Sequence, residues 1–397
     1  MKTKAGPGMA GKKWNVGIIG CGHIFDAYAR LSSVFEPINL VACSDVDMGI
    51  AQKRAQQYGL SALTVDDLLA REDIEVVINL TNPASHAAIT EAILKAGKHA
   101  YTEKPLALTM ADANRLLEVA EKHGRLIGSA PDTFLGGAHQ AARRLVDEGR
   151  LGEVKSGSAH FMNHGMEHWH PNPFAYFQVG AGPVLDMGPY YITALVALLG
   201  PVRRVIAMAT KFYEERHVTA DGPAKNTVVP VTTPTTSQAL IEFRSGAQIH
   251  FSVSYDNWGH GHANPIELHG TKASLMVPDP NYFGGALTLI DAGGRQRIET
   301  ATTVFGNLNW QEPAGATISN YRGLGLADLL AAAESGRTAR ASGQLSRHVL
   351  EILLAIIKSA EINDFVAIVS TVARPEPLGE DDAALLKAAD APSTFAA

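Results

Sequence analysis

The sequence predicts an α/β chain in which a doubly wound parallel sheet is followed by an α+β region built on a largely antiparallel sheet. Three observations predict it. At 397 residues the chain exceeds what one ordinary core holds, so two domains are expected. Its first third alternates short apolar runs with helical patterns, the texture of strands buried on both faces. Beyond about residue 135 apolar residues fall at every second position instead, the texture of strands with one buried face.

The parallel strands are expected at "VGIIG" (16–20), "INLVACSD" (38–45), "VVINLT" (76–81), "HAYTEKP" (99–105) and "RLIGSAP" (125–131). Helical patterns separate them at 47–58, 85–96 and 109–123. In the second region "QALIEF" (238–243) and "AQIHFSVSYD" (247–256) alternate, and Ala247, Ile249, Phe251, Val253 and Tyr255 share one face. "PIELHG" and "ASLMVP" continue as hairpin-like strands. Ser342 is placed to cap a helix reaching about residue 361, with Leu345, Val349, Leu353 and Ile356 in one stripe. The stretch 218–236 is rich in turn formers and reads as a connection. Residues 1–13 read as a flexible tail, 14–135 as one domain and 136–397 as the other.

Bulk properties exclude several partners. A net charge of −6 offers no basic surface to a phosphate backbone, so nucleic acid is not expected. No stretch approaches the roughly 20 apolar residues of a membrane helix. The basic start lacks an apolar run of signal length. The only cysteines are Cys21 and Cys43, too few for a disulfide framework, which fits a reducing cytoplasm.

Chemistry concentrates in a few short motifs. "VGIIGCGHIF" sets Gly20 and Gly22 between an apolar strand and a helix, where a Cβ would keep the backbone from a pyrophosphate. The third position of that fingerprint is Phe25. Asp45 ends the second strand, where a carboxylate accepts both ribose hydroxyls and repels a 2′-phosphate, so NAD is expected rather than NADP. Gly20, Gly22, His23, Ile24 and Asp45 are the resulting cofactor residues. "TEKPL" (102–106) puts Lys104 at the carboxyl end of a parallel strand, where open sheets bind ligands.

"GIIGCG", "SDVD", "NLTNPASH" and "TEKPL", in this order and spacing, resemble the Gfo/Idh/MocA oxidoreductases over residues 14 to about 361. That resemblance implies an NAD(P)-binding Rossmann domain paired with an open-faced-sheet domain, and a dimer or tetramer. It further implies that Lys104 reaches a reacting sugar hydroxyl, and that Asn79, Asn82, Pro83, His86 and Glu103 surround the nicotinamide ribose. Such relatives carry an Asp-x-Gly-x-His element. "DMGPYY" (186–191) matches it at Asp186 and Gly188, but Tyr190 stands where histidine is usual. Histidine, with a pKa of roughly 6.5, suits proton acceptance, whereas a phenol near about 10 needs a neighbouring cation. Lys104 is either that cation or itself the base.

The segment 162–176, "MNHGMEHWHPNPFAY", reads as a substrate loop: Trp169 offers a flat face to a pyranose, and His164, His168 and His170 offer hydrogen bonds. His164, His168 or Glu167 would protonate a leaving group. Two prolines and the lack of a fourth ligand argue against a metal here. "DNWGHGH" (256–262) is a second such loop with Trp258, His260 and His262. Tyr191 joins the substrate-binding set. Loops so rich in imidazole would suit an anionic sugar, sulfonated or uronic.

Three functions fit. One is redox-neutral glycoside hydrolysis: a pyranose hydroxyl, C3 by expectation, is oxidised transiently, Tyr190 drives elimination, and NAD is not consumed. The second is a net NAD-dependent sugar or polyol dehydrogenase. The third is an NAD-binding sensor, disfavoured because Lys104 and Asp186 are both kept. Tyr190 tips the sequence toward the first.

Overall fold

Strands β1 (Trp14–Ile19), β2 (Ile38–Ser44), β3 (Ser61–Ala62), β4 (Val76–Asn79), β5 (His99–Thr102) and β6 (Ile127–Ser129) form a six-stranded sheet in the order β3-β2-β1-β4-β5-β6. Every pairing in it is parallel. The computed structural model describes residues 12–312 and 315–396, so most of the expected tail lies outside the described residues. Val16, Ile18, Val76 and Val77 are fully buried, as expected of strands covered on both faces. Strand order reverses between β1 and β4, the switch point at which doubly wound sheets bind ligands. Register sharpens this, because Ile19 pairs with Asn79 and Asn79 with Thr102. Three strands therefore end level, and the segments after Ile19, Asn79 and Thr102 emerge side by side.

Helices follow their caps. In α2 (Met48–Tyr58) Asp47 accepts from the N–H groups of Gly49 and Ile50, and Gly59 closes the other end in the left-handed region. Thr109 caps α5 (Met110–Lys122). The sequence missed β3 and the short helix Phe25–Leu31, each too brief to show a period.

The second sheet has nine strands and is mixed. Its centre is Val154–Met162, which runs parallel to Gln248–Ser254 and antiparallel to Ile266–Gly270. Thr236–Phe243 joins Gln248–Ser254 by a hairpin and pairs with Val202–Thr210 on its other side. Ala247, Ile249, Phe251, Val253 and Tyr255 are all 0–1% exposed, so the alternation places their common face inward. The stretch 218–236 is mostly connection but contributes the short strand Val228–Pro230. Against the inner face lie the helices Gly188–Leu199, buried along its whole length, and Gly343–Ile362, capped by Ser342 as expected. Among the described residues no helix is long and apolar enough to cross a membrane.

His348 ties the long helix to the sheet. Its Nε2 accepts from the Val202 N–H at 3.2 Å, so its Nδ1 donates to Ser370 Oγ at 2.7 Å, and the ring must be neutral. Burial pushes its pKa down to about 4. A folded pKa below the unfolded value of roughly 6.5 makes the folded state bind fewer protons as pH falls toward 4, so stability present above 6.5 is lost on acidification. His348 alone should remove on the order of 2 kcal/mol between pH 7 and 5. Urea unfolding at both pH values should show the loss, and His348→Leu should make the slope shallower.

Candidate active site

The turn after β1 holds two glycines with different tasks. Gly20 has φ +102°, and a Cβ there would lie 2.6 Å from the Leu80 carbonyl carbon. Its residue type is dictated by the backbone of the neighbouring strand. A Cβ on Gly22 would meet nothing within 4 Å, so this glycine faces open space at the amino end of Phe25–Leu31. Asp45 stands beside the turn and accepts from the Cys21 N–H at 2.7 Å and the Asp47 N–H at 2.9 Å. An open glycine cradle at a helix start, with a carboxylate at the end of the next strand, fits a dinucleotide.

From this turn a cavity of about 400 Å³ runs across the seam between the two sheets. His23, Ile24, Pro83 and His86 line it together with Glu103, Lys104, His170, Asp186 and Tyr190, and the His23 and His170 ring centroids are 6.4 Å apart. Lys104 donates to Asp186 Oδ1 at 2.7 Å and to the Asp186 carbonyl at 2.8 Å. The buried Tyr255 hydroxyl donates to Asp186 Oδ2 at 2.6 Å, so both carboxylate oxygens are occupied. Burial opposes the Lys104 charge, but Asp186, Tyr190 and Glu103 outweigh it and hold the ammonium above the ordinary lysine range.

Tyr190 begins the helix Gly188–Leu199 and is 8% exposed, with Lys104 Nζ 5.1 Å from its ring centroid. A Cβ on Gly188 would lie 2.6 Å from Leu353 Cδ2, the tip of a side chain on the long helix. Arg322 is a second cation beside Tyr190. Asn281 and Asn320 hold its guanidinium at 3.3 and 3.1 Å. Burial again opposes the charge, and Tyr190 and Glu103 keep it. Glu103 itself accepts from Tyr28 Oη at 2.8 Å and from the Lys104 N–H at 2.9 Å.

Several sequence candidates are tied into structural contacts, whether at the cavity or away from it. Asn79 is fully buried, and its amide bridges the His86 carbonyl, Thr90 Oγ1 and Thr81, which commits it to the strand end. His86 lies between the carbonyls of Pro105 and Thr81, at 2.7 and 2.9 Å from its ring nitrogens. Asn82 caps the turn at Ser85. Tyr191 is 1% exposed, and its hydroxyl donates to Asp279 at 3.2 Å, on the core side of the helix. His164 stacks on Trp258 at 3.8 Å, outside the cavity lining. His168 and Trp169 face solvent. Glu167 is buried and paired with Arg216 Nη1 at 2.9 Å, so it is tied into an ion pair away from the cavity.

From the loop 162–176, the cavity is lined by His170, Asn172, Ala175 and Tyr176. His170 Nδ1 accepts from the Asn172 N–H at 3.1 Å, which leaves Nε2–H as a donor, and burial lowers its pKa. Tyr176 is pushed up to about 12 by burial and then by Asp186, and so stays a neutral phenol. Neither Tyr176 nor Tyr255, Arg322 and Arg216 stood out in the sequence. The signal for Tyr255 was its hydroxyl at the last inward position of an apolar stripe, where a buried phenol needs a partner.

The two glycines can be separated experimentally. Gly20→Ala should cost more than about 2 kcal/mol of stability, from overpacking and a strained φ. Gly22→Ala should melt near the parent temperature yet bind NAD about tenfold or more weakly. Thermal melts with NAD fluorescence titrations check both.

Family comparisons agree with this geometry. Residues 14–130 match the family model described as "Oxidoreductase family, NAD-binding Rossmann fold", and residues 139–276 match "GFO/IDH/MocA C-terminal domain". The chain is 31% identical over 217 residues to a dTDP-3,4-didehydro-2,6-dideoxy-α-D-glucose 3-reductase of Streptomyces violaceoruber, covering 53% of this chain and 61% of the relative. It thus spans less than two thirds of that relative's length. It is 32% identical over 142 residues to an inositol 2-dehydrogenase of Salmonella typhimurium, covering 34% of this chain and 42% of that one. The structure of levoglucosan dehydrogenase in complex with NADH and levoglucosan superposes with a TM-score of 0.77 at 23% identity, covering 90% of this chain and 100% of the other. That likeness speaks to the fold. Two models of one family together span more than half of the chain, which therefore belongs to the Gfo/Idh/MocA oxidoreductases and carries their NAD-binding Rossmann domain.

Proposed function

We propose that the protein is an NAD-dependent dehydrogenase or reductase of a sugar or polyol hydroxyl. The observation that carries this is the Lys104–Asp186 pair facing one cavity with the cofactor turn. When bound, NAD supplies the hydride acceptor. The ammonium of Lys104 polarises the substrate oxygen and stabilises negative charge as the hydroxyl proton leaves. Asp186 orients that ammonium, and Tyr255 orients Asp186. Tyr190, between Lys104 and Arg322, receives the proton. His170 and Tyr176 offer neutral hydrogen bonds to further hydroxyls. Relatives named for inositol, a deoxysugar nucleotide and 1,5-anhydro-D-fructose support a polyhydroxylated substrate. An oligomer formed over the open sheet face, in a reducing cytoplasm, accords with this reading.

One observation favours redox-neutral glycoside hydrolysis as a second reading. Tyr190 has a cation on two sides, and a phenolate so placed can take a carbon-bound proton next to a ketone. Against it, the acids expected for the leaving group are away from the cavity: His164 stacks on Trp258, His168 is exposed and Glu167 is ion-paired. The basis for an anionic substrate weakens likewise, since His260 and His262 do not line the cavity.

Purified protein with NAD, tested on inositols, free pyranoses and aryl glycosides, separates the two. Stoichiometric NADH without phenol release supports the dehydrogenase, and phenol release without NADH overturns it. Lys104→Met and Asp186→Asn should each lower kcat by about 100-fold or more while NAD binding persists. Tyr190→Phe should lower kcat by about 10-fold or more while NAD binding persists. Unchanged turnover in that variant would remove Tyr190 from the proton path.

A further inference from the structure

The residues that the loop 162–176 gives to the cavity are His170, Asn172, Ala175 and Tyr176. All four fall between Glu167 and Phe177, and both of those meet one buried side chain outside the cavity. It is Arg216, from the short strand Glu215–His217. Arg216 Nη1 donates to Glu167 Oε1 at 2.9 Å. Its guanidinium carbon lies 5.6 Å from the Phe177 ring centroid, within cation–π range. Phe177 is fully buried and shares the helical turn Phe174–Phe177 with Tyr176. Arg216 therefore gathers both ends of the segment that lines the cavity, closing the base of a compact surface loop.

The other half of the guanidinium faces a fixed point. Its Nη2 donates to the Tyr255 carbonyl at 3.0 Å and to Asp256 Oδ1. This strand end is held without Arg216. The Tyr255 N–H donates to the Thr235 carbonyl at 2.8 Å, and Asp256 Oδ2 accepts from Thr235 Oγ1 at 2.8 Å and Thr236 Oγ1 at 2.6 Å. The Glu167 carboxylate has no such reserve. Among the described residues its Oε1 accepts from Arg216 only, and its Oε2 is buried without a partner. Arg216 thus stands as one cation between two carboxylates, with all three side chains under 10% exposed. Without it the buried carboxylates would repel each other. The better-tied Asp256 would stay, and Glu167 would leave with its loop.

We infer that Arg216 is a positioning residue: it clamps the loop carrying His170 and Tyr176 to the strand end carrying Tyr255. The groups that bind substrate are thereby held in register with the Lys104–Asp186 pair. Its part in turnover rests on the dehydrogenase reading above. The clamp acts on the loop and touches neither Lys104 nor the cofactor turn. Its loss therefore weakens ground-state and transition-state binding alike, which raises KM and leaves kcat in place.

The test uses the full chain and the double variant Arg216→Gln/Glu167→Gln, which removes one charge of each sign and leaves Asp256 its threonine partners. With the polyol or sugar that the parent oxidises best, KM should rise about 10-fold or more, with kcat within about 3-fold and NAD affinity unchanged. Glu167→Gln alone, whose amide oxygen still accepts from Arg216, should keep KM within about 3-fold of the parent. A parent-like KM in the double variant overturns the inference. So does a fall in kcat and in NAD-binding stoichiometry at unchanged KM, the sign of fewer folded molecules. If the double variant melts far below the parent, Arg216→Lys, which keeps the charge but not the planar fork, is read by the same measures. Hydrogen exchange followed by mass spectrometry needs no substrate. The double variant should exchange faster across 167–177 and at the parent's rate across 248–256. Unchanged exchange across 167–177 overturns the clamp whatever the parent oxidises. A parent that forms no NADH from any polyol sinks the dehydrogenase reading instead, and exchange alone then decides the clamp.

Discussion

The ion pair between Lys104 and Asp186 is the constraint on which the rest of the site depends. Lys104 follows the parallel strand β5 and Asp186 ends the short helix Gly182–Asp186, with side chains only 14% and 18% exposed. Two charges removed from water at such a seam lose more solvation than their attraction returns, unless the remaining hydrogen-bonding capacity is filled. Here it is filled. Lys104 spends a second donor on the Asp186 carbonyl, and Tyr255 closes the other carboxylate oxygen. The pair therefore fixes how the open sheet meets the parallel sheet, and removing either member leaves a buried charge behind.

The same saturation decides where protons can go. Both oxygens of Asp186 already accept short hydrogen bonds, one from Lys104 and one from Tyr255. The lysine is kept charged and is no acceptor. His170, the one loop imidazole in the cavity, offers its donor face. Beside Lys104 and Tyr190, the described lining also holds Glu103, Tyr176, His23 and His86. Tyr190 stands where the family's usual element carries a histidine, and Arg322 lies next to it as a second cation.

Legibility in the sequence followed the range of the interaction. The parallel strands could be read because burial on both faces writes an unbroken apolar run, and the helix from Gly343 because Ser342 caps it locally. The central strand Val154–Met162 could not, since half of it is polar and its place is set by partners far along the chain. Glycine told a mixed story. The turn was recognised, but the reason for Gly20 is the backbone of Leu80, a contact no local pattern records. Lys104 and Asp186 were found singly through motifs, whereas Tyr255 and Arg322 enter only when distant segments meet.

The histidines expected around one pocket divide between two places, and strand parity explains why. Ile249 and Phe251 point inward, so His250 between them must point outward, as must His160 on the neighbouring strand, whose partner across the pair is Ser252. A loop that covers these two rings lies on the outward face, and it cannot also line a cavity behind the sheet. The imidazoles therefore divide into two populations. His23, His86 and His170 belong to the seam, and His160, His250, His260 and His262 to the far face. An anionic-sugar pocket needed the two groups to be one. Their separation by a sheet leaves His170 and Tyr176 as neutral hydrogen-bonding groups beside the Lys104 ammonium in the cavity.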